Sequence, residues 1–200
     1  VGSVFYCLLG TMAGIVYRLI EPGANLHAVE AVVWYALVLW FAFVQGEWGN
    51  MILELAWSNF VFQTILFMIA VQIPLFFTGH MAYVDIAWPS GLVGIAVLAL
   101  RNIDGYGPRR NLIGTALLLH GARMMLGALV MFFPYIFRED LPRYQYAKKR
   151  WMSHTHGNTR LWWLKQQHDT AMQAMFNCVG VGAPIFLTAT NPTPSLHWME

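Results

Sequence analysis

At 200 residues the chain is long enough for one ordinary domain, yet 58% of it is hydrophobic and only 11% is charged, with a net charge of +2. A water-soluble shell draws on about 25% charged residues, so composition excludes a soluble enzyme, a disordered segment and a nucleic-acid-binding module. The mean hydropathy of +0.49 and an aromatic content of 15%, with nine Trp and thirteen Phe, fit a polytopic membrane protein.

A hydrocarbon core about 30 Å thick takes about 20 apolar helical residues at ~1.5 Å each, and about six windows approach that length. The first, residues 4–20, ends at Arg18, Glu21 and Pro22. The second, residues 26–44, carries Glu30 near its start. A stretch with Glu47, Trp48, Glu54 and Trp57 comes next and is expected to lie along the membrane surface, leading into a third window at residues 59–78. Gly79 and His80 separate this from the fourth window, residues 81–100, which predicts a tight helical hairpin. Asp85 and Pro89 fall inside that fourth window. The fifth, residues 112–137, contains His120, Arg123 and Pro134, and the sixth, residues 170–190, is interrupted by Pro184. The runs lack the alternation of a barrel, and lipid tolerates no unpaired backbone, so every window reads as a helix. The expected fold is all-α: one transmembrane domain over residues 1–200, a polytopic bundle of about six helices, with a basic extramembrane loop at about residues 138–169.

Charge sets the expected orientation. Arg138, Arg143, Lys148, Lys149, Arg150, Arg160 and Lys165 lie in that loop, and Arg18 shares its side. Arg101, Arg109 and Arg110 lie opposite. The positive-inside rule places the long loop in the cytoplasm or mitochondrial matrix. Lys148, Lys149 and Arg150 beside Trp151, together with Arg138, are candidates to grip anionic headgroups such as cardiolipin.

Charged groups within spans cost about 2.5–3.5 kcal/mol at the centre and need an explanation. Glu30 and Asp85 are expected near the basic interface, with Gln72 and His80 at the same level. Arg123 lies deeper and is expected to face the protein interior, bonded to carbonyls; a substrate or proton site is the competing reading. His154, His156 and His168 lack the companions of a metal site, so no metal is expected. Cys7 and Cys178 sit in apolar runs as small packing residues.

Several of these residues, taken in order, resemble a known pattern. The run Tyr83-Val84-Asp85-Ile86-Ala87-Trp88 resembles the Asp-x-x-Trp signature of the steroid 5-alpha-reductase-like superfamily, in its broadly distributed uncharacterised branch. Arg109-Arg110-Asn111-Leu112 resembles its basic turn, and Arg123 its helix arginine without the flanking Trp and Leu. Asp140-Leu141-Pro142-Arg143-Tyr144 is similar to its Asp-x-Arg-Tyr loop with one extra residue. Arg150-Trp151, Gln173 and Pro184 follow in order, so the resemblance covers about residues 80–190. It implies a multi-helix membrane reductase fold, and Asp85, Trp88, Arg123, Asp140, Arg143 and Tyr144 as the motif positions.

The better-known members of that superfamily use NADPH to reduce carbon–carbon double bonds in sterols or lipids. The segment that carries their cofactor site has no counterpart here, so the chain is expected to be truncated before the NADPH-binding part and to bind no cofactor. The expectation is a non-catalytic, reductase-derived subunit of a larger membrane complex of respiratory-chain type, with a scaffold or lipid-binding role. Its expected partners are membrane lipids and other membrane subunits, not nucleic acid. The absent initiator Met and the basic loop favour the mitochondrial inner membrane, with the endoplasmic reticulum as the alternative. A second expectation is an NADPH-dependent lipid or sterol reductase whose cofactor part lies on a missing segment or a partner chain. A third is a proton route through Glu30, Asp85, His120 and Arg123.

Overall fold

The computed structural model describes residues 46–102, 105–135, 139–154 and 156–194, and every regular element among them is helical. The first two apolar windows and Glu30 lie outside the described residues. Helix α1 (Gly46–Phe67), a π-helical turn (Met68–Gln72) and α2 (Ile73–Thr78) form one continuous rod. Its Asn50–Thr78 portion is long and apolar enough to cross a bilayer. The expected stretch is not a separate element: Glu54 and Trp57 belong to the same continuous helix as the third window. Continuing a helix satisfies each backbone group within the segment, which a separate surface piece joined by a break would not.

The π turn answers to Pro74. Proline has no N–H and crowds the carbonyl one turn back. The widened turn lets Ile73 N–H reach Met68 O, five residues back, before Pro74 enters. The same solution recurs in the last rod. There α6 (Thr159–Met175) passes through a π-helical turn (Phe176–Gly182) into α7 (Ala183–Thr190), with Pro184 in the first turn of α7. Asn158 caps α6, its Oδ1 accepting from Arg160 N at 3.1 Å and Leu161 N at 3.2 Å.

Between the two rods lie α3 (Val84–Arg101), entered through a 3₁₀ turn (Met81–Tyr83), α4 (Gly107–Tyr135) and the short α5 (Pro142–His154). Gly79 ends α2 in the left-handed region at φ 69°, donating to Leu75 O at 2.8 Å, which closes the predicted hairpin. Gly121 brings α4 against α3: a Cβ there would lie 3.0 Å from Leu92 Cβ and 3.1 Å from Val93 N.

Among the described residues four helical stretches qualify as spans: Asn50–Thr78, Met81–Arg101, Gly107–Met131 and Thr159–Thr190. They correspond to the third to sixth windows. The last begins well before the window edge at residue 170, and Pro142–His154 is a helix too, so most of the expected loop at 138–169 is helical. The bundle has two distinct ends. At one, Gly79 and Met81 meet Asp140 and Lys148; at the other, Tyr106 N donates to Asn191 O at 3.1 Å, and Arg109 Nη1 to Asn191 O at 3.1 Å and Thr193 O at 2.9 Å. The loops after the first and third described spans therefore share a side, as the window order requires.

Apolar packing holds both ends. Phe67, Val71, Tyr83, Val84, Ala87 and Ala174 form one buried cluster, and Ile52, Leu92, Ile95, Ala99, Phe186 and Ala189 the other. Between them three buried amides bind three helices. Gln63 Nε2 donates to Asn59 Oδ1 at 3.1 Å and to Gly91 O at 3.0 Å. Asn177 Nδ2 donates to Gln63 Oε1 at 3.3 Å and to Trp88 O at 3.1 Å. Lipid supplies no hydrophobic force between helices, so small residues and polar bonds of this kind fix their register.

Candidate functional site

The site lies at the basic end, where the start of α3 meets α5. Asp140, just before α5, places Oδ2 3.0 Å from Met81 N and Oδ1 2.9 Å from Ala82 N. These are orphan donors at the entry to the second described span, and Asp140 is their acceptor. Lys148 bonds both the Asp140 carboxylate and Gly79 O, tying the second turn of α5 to the hairpin. Asp140 and Lys148 are thus structural clasps. Lys148, a headgroup candidate from sequence, has its ammonium engaged within the protein.

Clamped in this way, α5 presents Arg143 and Tyr144 to Asp85. The Arg143 guanidinium and the Tyr144 hydroxyl, at 3.0 Å, both donate to Asp85 Oδ1. Arg143 also lies 4.8 Å over the Tyr144 ring. Burial first, and then the neighbouring Asp85 carboxylate, hold the Tyr144 phenol well above its ordinary range, so it is a neutral donor. Asp85 Oδ2 is buried and finds no hydrogen-bond partner among the described residues.

These groups rim a half-open cavity of about 500 Å³. Met81, Val84, Trp88 and Pro89 form its inner wall, with Met124 of α4 opposite; Asp169, Thr170 and Gln173 of α6 close another side. Ala147 and Trp151 of α5 complete the mouth. Lys165 neutralises Asp169 at 3.1 Å and lies 5.8 Å over the Trp151 ring. Thr170 is fixed from behind by Gln72 Nε2 at 2.8 Å.

Of the motif positions, Asp85, Trp88, Arg143 and Tyr144 converge on this cavity, and Trp151 and Gln173 join them. Arg123 does not. It is exposed on α4, not bonded inside the bundle as expected, because α4 turns Gly121 toward α3 and so rotates residue 123 outward. Among the remaining headgroup candidates, Lys149 and Arg150 are exposed, Trp151 is half-buried, and Arg138 lies outside the described residues. His156 sits exposed in the turn before α6, and the side chain of His154 lies outside the described residues. Sequence reasoning missed Asn59, Gln63, Asn177 and Thr170; the signal was an amide or hydroxyl in an otherwise apolar window.

A dinucleotide brings several phosphates, which proteins seat on helix N-termini, glycine-rich turns or clustered cations. Here the lining holds one cation, Arg143, whose charge Asp85 already offsets, and a second carboxylate, Asp169, faces the space, so it has no net positive charge for several phosphates. The described lining does not fit NADPH.

Comparison with family models, with characterised proteins and with solved structures returns no match. The likeness to the steroid 5-alpha-reductase-like superfamily therefore rests on the motif residues themselves.

Proposed function

We propose that the chain is a non-catalytic membrane subunit of a larger complex, of respiratory-chain type, that organises lipid at its basic interface. The observation that carries this reading is α5. It lies across one end of a bundle of membrane-spanning helices, with Lys149 and Arg150 exposed beside Tyr146 and Met152, above a largely apolar cavity. A basic, aromatic-bearing surface helix attracts anionic headgroups by about 1 kcal/mol per cation. Cardiolipin and the mitochondrial inner membrane are the proposed lipid and setting. Membership of a larger assembly is supported by Arg123 and His120, both exposed within the third described span. Arg123 lies about 12 Å by helical rise from Met131, a depth at which bare lipid penalises charge and a neighbouring helix relieves it. Purification from native membrane tests the proposal. Co-migration with other subunits and enrichment of anionic lipid are expected; solitary migration with bound NADPH would overturn it.

A second reading, an NADPH-dependent reductase of lipid or sterol double bonds, is favoured by one observation. Residues that carry the superfamily resemblance on α3, α5 and α6 meet at one cavity. Since the described lining does not suit the dinucleotide phosphates, this reading needs a partner chain, or residues beyond those described, to seat them. Protection of the complete assembly from unfolding by NADPH would promote it, and failure of protection would count against it.

A further inference from the structure

The cavity beneath α5 has a charge pattern that selects among lipids. Its two carboxylates are each matched by a cation: Asp85 by Arg143 and Asp169 by Lys165. The charges at the cavity are thus already balanced, and an anionic or a cationic head entering it adds a charge that nothing there is left to compensate. A neutral head adds none. It also finds hydrogen-bonding capacity waiting for it. Asp85 Oδ2 is a buried acceptor with no partner among the described residues. Arg143 commits Nη2 to Asp85 and Tyr144, which leaves other guanidinium N–H groups for an incoming acceptor. The Gln173 amide stands exposed at the same mouth and both donates and accepts. Met81, Val84, Trp88, Pro89 and Met124 make the rest of this lining mostly apolar.

We propose that this cavity is a discrete site for one neutral lipid whose head carries a hydroxyl donor next to a carbonyl acceptor, the chemistry of a partial glyceride. The hydroxyl donates to Asp85 Oδ2, the carbonyl accepts from Arg143 or Gln173, and the chain lies against Trp88, Pro89 and Met124. The volume of about 500 Å³ falls in the range of small-ligand sites, which are mostly apolar with a few convergent polar groups. This rests on the lipid-organising reading and divides it in two: an anionic surface on the exposed cations of α5, and a neutral seat beneath.

The test uses the 200-residue chain in phosphatidylcholine nanodiscs, with a diazirine-bearing monoacylglycerol as probe. Saturable photolabelling is expected on the peptides holding Val84–Pro89, Met124 or Thr170–Gln173. Unlabelled monoacylglycerol should compete at concentrations at least about ten-fold lower than a fatty acid or an alkylamine of the same chain length, a factor of ten being about 1.4 kcal/mol. Ala147→Trp and Met124→Trp fill the cavity from two different helices, so either one that keeps the wild-type melting profile should abolish saturable labelling. Gln173→Leu should retain labelling but narrow the preference for the neutral head. Non-saturable labelling, equal competition by the fatty acid, or labelling untouched in a folded cavity-filling variant would overturn the proposal. Binding of cardiolipin vesicles, weakened by Lys149→Gln with Arg150→Gln, reads the anionic surface separately. Loss of one reading therefore leaves the other measurable.

Discussion

Asp140→Ala removes the acceptor of two backbone N–H groups where the chain enters α3, and those groups have nowhere else to turn. Met81 is 4% exposed and Ala82 is fully buried, so water cannot replace the carboxylate. Bonds to a charged acceptor contribute about 1.5–3 kcal/mol each, which sets the expected loss from the two at about 3–6 kcal/mol. Lys148 adds less than a fully buried ion would. Its side chain is 15% exposed and keeps Gly79 O, so the freed ammonium can swing toward water. Asp140→Asn retains one acceptor oxygen and should lose about half as much. Lys148→Met should be milder than Asp140→Ala. Reversible unfolding in mixed micelles, followed by tryptophan fluorescence, measures the loss. Amide exchange at Met81 and Ala82 reports its location. A loss below about 1 kcal/mol, or unchanged exchange at those two amides, would refute the argument that Asp140 caps this helix.

Tyr144 gives a pH test. Its folded-state pKa is raised from the ordinary 10.0, so its contribution is complete below that value and drains away as pH climbs above it. The Tm of Tyr144→Phe should therefore fall less steeply than wild type above about pH 10; parallel profiles there would contradict the burial of the phenol. Gly91→Ala should disrupt the buried amides, because the new Cβ would lie 2.3 Å from Asn177 Nδ2 and 2.4 Å from Gln63 Oε1. Overpacking of this kind costs about 1–3 kcal/mol, read by the same unfolding assay. Gly127→Ala, with nothing among the described residues within 4 Å of its Cβ, should be neutral or stabilising by up to about 1 kcal/mol through helix propensity. Equal losses at positions 91 and 127 would show that the amide network is unimportant. Arg123→Leu should leave cavity labelling at the wild-type level and weaken co-migration in native gels; the reverse pattern would remove the assembly reading of this face.

Much of the bundle was legible before any coordinates. Hydropathy located the four described spans, because lipid imposes a simple requirement of length and apolarity on each segment by itself. The Gly79 turn was legible for a similar local reason. The ends were harder. Helix continuity through residues 46–78 and 159–190 depends on π turns at Pro74 and Pro184, which hydropathy does not register. A carboxylate at Asp85 inside an apolar window calls for a partner, but helical rise along a single segment measures depth and says nothing about rotation. Depth alone predicts that Arg123 faces inward, whereas packing of Gly121 against α3 turns it out.

By itself the sequence determined the solvent this protein folds in, the helical class, where its described spans lie and the side on which its cations gather, since each follows from composition or spacing along the chain. Tertiary structure alone decided which polar residues meet. Asp85 and Arg143 are 58 positions apart, and Gln63 and Asn177 are 114 apart. Contacts at such separations depend on helix rotation and register, which arise from side chains packing across helices and leave no periodic trace in one strand of sequence.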